Sequence, residues 1–210
     1  MSSPPNALDV EIPYVVEAFL TGKNTKIAIK DIKFQDQLRN KGFGEKQDLE
    51  YILQPYEALF LIHTKRLVLN TKKAKHIGFD SLLNIALRHD KDMLTKFLIY
   101  RDLRSRGYVA KEGFGFGVDF RVYERGEFEK KPAKYVVFGI NEGVQMETAE
   151  FSEALDQITK MGKSAVVAVI ERRGEVTYYK VSKARFSNNK ILPLSNTKGS
   201  EELYKLKIKP

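Results

Sequence analysis

The thirty residues from Phe97 to Gly126, FLIYRDLRSRGYVAKEGFGFGVDFRVYERG, change periodicity half-way along, and that change decides the fold. Up to Gly107 the apolar residues fall at helical spacing. The segment closes on Arg101, Arg104 and Arg106, cations that suit a helix carboxyl terminus, and glycine stops it. From Tyr108 onward the pattern is that of strands, YVAKEG, FGVDFRVYERG and KYVVFGI, with Gly, Glu and Lys at the turns between them. FSEALDQITKMGK then reads as a helix that begins at a capping box around Ser152. SAVVAVIERRGEVTYYKV follows as two strands about a tight turn from Arg172 to Glu175. These elements make a compact mixed sheet flanked by helices.

Toward the amino terminus, PYVVEAFL and TKIAIKDI read as short strands and FQDQLRNKGFG as a helix stopped at Gly42. YILQPYEALFLIHTKRLVL places apolar residues at helical spacing and ends on the strand-like RLVL, which completes a small α+β unit. FDSLLNIALRHDKDMLTKFLIYRDLRSRG gives two helices. The expected organisation is therefore an amino-terminal α+β domain over 1–79, a boundary near Asp80, and a mixed-sheet α/β domain over 80–181. Residues 182–210, with seven basic and two acidic residues and a turn-rich composition, read as a tail ordered only by contact with another molecule.

The 210 residues, 42% hydrophobic and 30% charged, suffice for two compact domains. With no cysteine, disulfides, thiol nucleophiles and cysteine metal sites are excluded. The beginning MSSPPNALDVEIPYVVEAF lacks a secretory pattern and no apolar run approaches the ~20 residues that cross a bilayer, so a cytoplasmic protein with no membrane partner is expected. Of the net charge of +9, residues 91–210 hold +7, with 23 Lys and Arg against 16 Asp and Glu. A basic excess concentrated in one half points to a polyanionic partner, nucleic acid ahead of a membrane surface. GFGFG is not a phosphate loop, because no Lys-Ser pair follows it and a strand does. No histidine pair has metal-ligand spacing, so neither metal nor cofactor is expected.

FLIYRDLRSRGYVAKEGFGFGVDFRVYERG, AKYVVFGI and KSAVVAVIERRGEVTYYKV together closely resemble the catalytic domain of the archaeal tRNA-splicing endonucleases. Tyr100, Arg101, Asp102, Leu103, Arg104, Arg106 and Gly107 stand in the order of that family's helix end. LRNKGFG followed by YILQPYEALFLI resembles its amino-terminal domain, so the likeness spans residues 10 to 181. The resemblance implies metal-free RNA cleavage, in which the 2′-hydroxyl attacks its own phosphate and leaves a 2′,3′-cyclic phosphate and a 5′-hydroxyl. It also implies three side chains: a tyrosine that helps deprotonate the 2′-hydroxyl, a histidine that protonates the leaving oxygen, and a lysine that stabilises developing charge.

Carried over by position, the tyrosine is Tyr123 and the lysine Lys163, whereas the histidine-serine-lysine-tyrosine run becomes Pro132, Ala133, Lys134, Tyr135. Proline cannot donate a proton, and His63, His76 and His89 all precede the second domain. Lys134 or Lys130 could serve only if burial lowered a pKa that starts near ~10.4. An arginine common in catalytic members falls near Asp156, and a lysine of the glycine-rich strand is replaced by Gly115. Taken alone, Tyr123 reads as a half-buried strand tyrosine, and Lys163 and His63 as ordinary surface residues.

The resemblance further implies RNA contacts at Arg101, Arg104, Arg106, Arg121 and Lys134. Subunit contacts are implied through the acidic run NEGVQMETAEFSEALD, at Glu142, Glu147 and Glu150, and through the strand EVTYYKV, at Tyr178 and Val181. The expected role is the non-catalytic structural subunit of an α2β2 tRNA-splicing endonuclease, partnered by a catalytic subunit and by precursor tRNA. Two other readings stand beside it: a catalytic subunit with an unusual general acid, and an RNA-binding or assembly module outside splicing.

Overall fold

The computed structural model describes residues 15–21, 26–115, 117–144 and 148–184. In the amino-terminal half, β1 (Val16–Thr21) and β2 (Lys26–Ile29) form an antiparallel pair, and α1 (Ile32–Asn40) follows. The Asp31 side chain accepts from the Lys33 amide and so caps α1, and Gly42 at φ +74° ends it. Next come β3 (Glu45–Gln47), β4 (Glu50–Leu53), α2 (Pro55–His63), β5 (Leu67–Thr71) and β6 (His76–Ile77). The sheet order is β3-β4-β2-β1-β5-β6, and β5 lies parallel to β1.

One expectation changes here. YILQPYEALFLI is not a single helix, because Tyr51, Ile52 and Leu53 belong to a strand. Pro55 takes the first helical position, where its missing N–H costs nothing, and the Glu57 carboxylate accepts from the Gln54 amide at 2.9 Å. The expected boundary at Asp80 falls in the first turn of α3 (Phe79–Leu87).

The helix α4 (Met93–Ser105) leads into β7 (Val109–Gly115), β8 (Val118–Tyr123), β9 (Tyr135–Asn141), α5 (Thr148–Lys160), β10 (Ser164–Ile170) and β11 (Val176–Val181). Their order is β11-β10-β9-β8-β7, antiparallel except for β9 with β10. That parallel pair needs a crossover, which α5 supplies. The helix α5 begins at Thr148, four residues before Ser152, so Ser152 lies inside the helix and does not cap it.

Tyr100, with no solvent exposure, joins the two halves. Its ring meets Phe43, Tyr56 and Phe60 of the first half and Phe120 of the second, with centroids 5.0 to 6.4 Å apart. One apolar core therefore runs from β1 through α2 and α4 to the near face of the second sheet. A smaller core lies under α5. Among the described residues no helix is long and apolar enough to cross a membrane.

Candidate active-site cleft and subunit surfaces

Strand β8 alternates. Phe120 and Val122 enter the core, whereas Arg121 and Tyr123 lie on the opposite face and are half-buried. They line a cleft of about 770 Å³ between the two halves. Its other wall comes from Arg39, Gly44, Lys46 and Tyr51, and the Phe128–Pro132 segment forms its lip. The Tyr123 ring packs edge-on against Phe128, with centroids 5.1 Å apart. Lys163 sits just past α5, and its Nζ donates to the Ala133 carbonyl at 2.6 Å. The fold thus brings together the three positions that the resemblance singles out: Tyr123 and Pro132 line one cleft, and Lys163 is tied to the residue after Pro132.

No ionisable acid stands where the histidine would be. Pro132 is exposed, and no histidine lines the cleft. His63 packs against Phe79 and Phe97, His76 lies on the edge strand β6, and His89 faces a separate hollow beside Asp90. The Lys134 ammonium donates to Glu124 at 2.5 Å, and Tyr135 donates its hydroxyl to the same carboxylate oxygen at 3.2 Å. The hydrogen bond to Glu124 pushes the Lys134 pKa up, away from the neutral range where a general acid works best.

Two departures from the catalytic pattern acquire local reasons. Gly115 has φ +96°, a conformation that any L-residue resists, so the strand in this form does not favour a lysine there. The Asp156 carboxylate accepts from Lys183 at 2.7 Å.

The expected RNA-contact residues do not share one surface. Arg104 is 3% exposed, donates to the Lys41 carbonyl at 2.8 Å and lies over the Phe43 ring at 4.0 Å. It is a core cation, and the expectation that it reaches RNA is corrected. Arg106 is exposed but engages Asp102 at 2.7 Å and lies over Tyr178, and Arg101 rests against Phe97. Arg121 lines the cleft; its Nε, like Nε and Nη1 of Arg104, is shielded from solvent with no hydrogen-bond partner among the described residues.

Of the assembly residues, Glu142 is exposed and accepts weakly from the Arg172 amide at 3.4 Å, and Glu150 is exposed in the first turn of α5. Glu147 lies outside the described residues. β11 is an edge strand, but Tyr178 and Val181 face opposite sides of its sheet. Tyr178 packs toward α4, where burial and the neighbouring Asp102 carboxylate keep its hydroxyl protonated, and Val181 packs toward α5. Among the described residues no group of three or more His, Asp or Glu is placed to hold a metal ion.

Comparison with known proteins follows this division of the chain. Residues 18–83 match the family model described as the tRNA intron endonuclease N-terminal domain, and residues 93–178 match the catalytic C-terminal domain of the same enzyme. A tRNA-splicing endonuclease of Methanococcus vannielii is 32% identical over 154 residues, covering 73% of this chain and 87% of that protein. The chain belongs to the tRNA-splicing endonuclease family. Other tRNA-splicing endonucleases are also similar: that of Pyrococcus furiosus is 28% identical over 82% of this chain and 98% of its own length, and that of Pyrococcus horikoshii 26% identical over 81% and 98%. Within the tRNA-splicing endonuclease fold, the wall made by Arg39, Lys46 and Tyr51 and the buried pair Lys111–Glu57 leave little trace in the local sequence. A glutamate three residues after Gln54 in QPYE was the one local signal for Glu57.

Proposed function

We propose that this chain is the non-catalytic, structural subunit of an archaeal heterotetrameric tRNA-splicing endonuclease, which removes introns at bulge-helix-bulge sites. The observation that carries the reading is the state of the cleft. Tyr123 shares the cleft with Pro132, Lys163 holds the Ala133 carbonyl next to it, no histidine lines that cleft, and the nearby Lys134 is tied to Glu124. Without a general acid, cleavage is slower by ~10²- to 10⁴-fold. In this reading residues 1–79 and 80–181 are the two domains. The exposed carboxylates at Glu142 and Glu150 dock on a catalytic sister subunit, edge strand β11 pairs across a dimer interface, and Arg101, Arg106 and Arg121 contribute basic surface for precursor tRNA.

Tyr123 in the cleft, and Lys163 bonded to the residue that follows the cleft's Pro132, favour a second reading, a catalytic subunit whose proton comes from elsewhere. Reconstitution separates the two. Mixed with a catalytic sister, this chain should form a complex with the mass of two copies of each, and charge reversal at Glu142 and Glu150 should weaken it. A chain that gains neither mass nor activity from any sister, yet cuts alone, refutes the structural role.

A further inference from the structure

Two cations of the carboxyl-terminal half reach into the turn that ends α1. Lys111 of β7 donates from Nζ to the Gly44 carbonyl at 2.8 Å and to Glu57 Oε1 at 3.0 Å. Arg104 of α4 holds the Lys41 carbonyl from the other side. Glu57 of α2 completes the arrangement, because its second oxygen accepts from the Gly44 and Gln54 amides, both at 2.9 Å. The carboxylate has no solvent exposure and Lys111 is 7% exposed. The turn admits little variation: Gly42 has φ +74°, and a Cβ there would lie 2.4 Å from a Val109 methyl.

Desolvating two charges is costly, and an apolar pair of similar volume fills such a space at least as well. What the ion pair adds is direction, since its lone pairs and protons match one placement of the turn. That turn carries one wall of the cleft. Gly44 lines it directly, with Lys46 on the strand that follows and Tyr51 on the next. On the opposite wall, β7 sets β8 in register, Lys111 beside Arg121 and Val109 beside Tyr123. The clamp therefore stands between the two walls.

We infer that Lys111 and Glu57 are positioning residues that set the distance between the amino-terminal wall and the Tyr123 face, whatever anion occupies the cleft. They act through the 42–44 turn, and Lys111 also lines the cleft beside Arg121. Arg104 secures the same turn at its beginning.

The absence of cysteine makes a direct test possible. Cysteines introduced at Lys46 on the amino-terminal wall and Lys130 on the lip that follows β8, both exposed, can carry spin labels, and a dipolar distance measurement on the full chain reports the opening of the cleft. The parent should give one narrow distance. Lys111→Met should broaden it or add a longer component at 20 °C with the circular dichroism retained, and should lower Tm by roughly ten degrees. Glu57→Gln with Lys111→Met should recover part of that fall, because the two changes remove one shared interaction. Lys111→Arg, which keeps the charge with a bulkier head, should give a narrow but displaced distance and a smaller fall in Tm. It covers the case in which the methionine variant does not fold. An unchanged distance in a folded variant overturns the inference, even where Tm falls, since the pair would then hold the chain together without setting the cleft.

Discussion

Replacing Pro132 by histidine tests the chemistry of the cleft in the gain-of-function direction. The site tolerates the change on structural grounds. Pro132 is exposed, lines the cleft with Tyr123 and has no amide N–H to lose, and the adjoining Ala133 carbonyl is already held by Lys163. A general acid contributes ~10²- to 10⁴-fold, equivalent to about 2.7–5.5 kcal/mol of barrier. Pro132→His should therefore raise single-turnover cleavage of a bulge-helix-bulge precursor by that factor over the parent. The gained activity should fall as pH rises above ~6.5, where an ordinary imidazole loses its proton. A Lys134→Gln change in the parent should leave its cleavage rate as it is, since the hydrogen bond to Glu124 keeps that ammonium from serving as the acid. The reasoning is refuted if the parent already cuts as fast as the variant, or if the folded variant gains nothing, for then the missing acid is not what stops the reaction.

Three further predictions concern other parts of the molecule. Arg121→Gln removes a cation with an unpartnered, shielded Nε, so it should leave Tm unchanged or raise it. It should also weaken precursor binding, with the salt dependence of log K shallower by ~0.7 to 0.9 if one phosphate contact is lost, as fluorescence anisotropy would read. Arg104→Met loses a charge-assisted hydrogen bond and the contact over Phe43 but also removes two shielded, unpartnered nitrogens, so it should cost about 1–3 kcal/mol in denaturant unfolding, with RNA affinity unchanged. Burial raises the Asp119 pKa despite the hydrogen bond from the Gly139 amide. The folded state then binds more protons than the unfolded one, so this group should lower stability as pH climbs from its unfolded pKa through its raised folded one, and Asp119→Asn should flatten that limb of the curve.

What could be read from the sequence, and what could not, divides on physical lines. The passage from α4 into β7 and β8 was legible because helical spacing gives way to period two at a glycine. The roles given to Tyr123, Lys163 and Pro132 rest on resemblance, because the local pattern around each of them carries no such signal. The strand at Tyr51–Leu53 was missed because three buried apolar residues run straight into an apolar helix, and only Pro55 marks the break. Arg104 was misread because a charged residue near a helix end suggests surface, yet it stands one turn from Tyr100 on the buried face. Lys111 breaks the alternation of β7: Ala110 and Lys111 are both buried, because Glu57 and the 42–44 turn cover the face that period two assigns to solvent. Such a partner, 54 residues away in the chain, leaves no local signal.

Cleavage by the pure chain bears most directly on the structural-subunit reading. A bulge-helix-bulge precursor should yield no 2′,3′-cyclic phosphate above background, and neither Tyr123→Phe nor Lys163→Ala should change the trace. A cyclic-phosphate product that disappears with Tyr123→Phe would contradict the account.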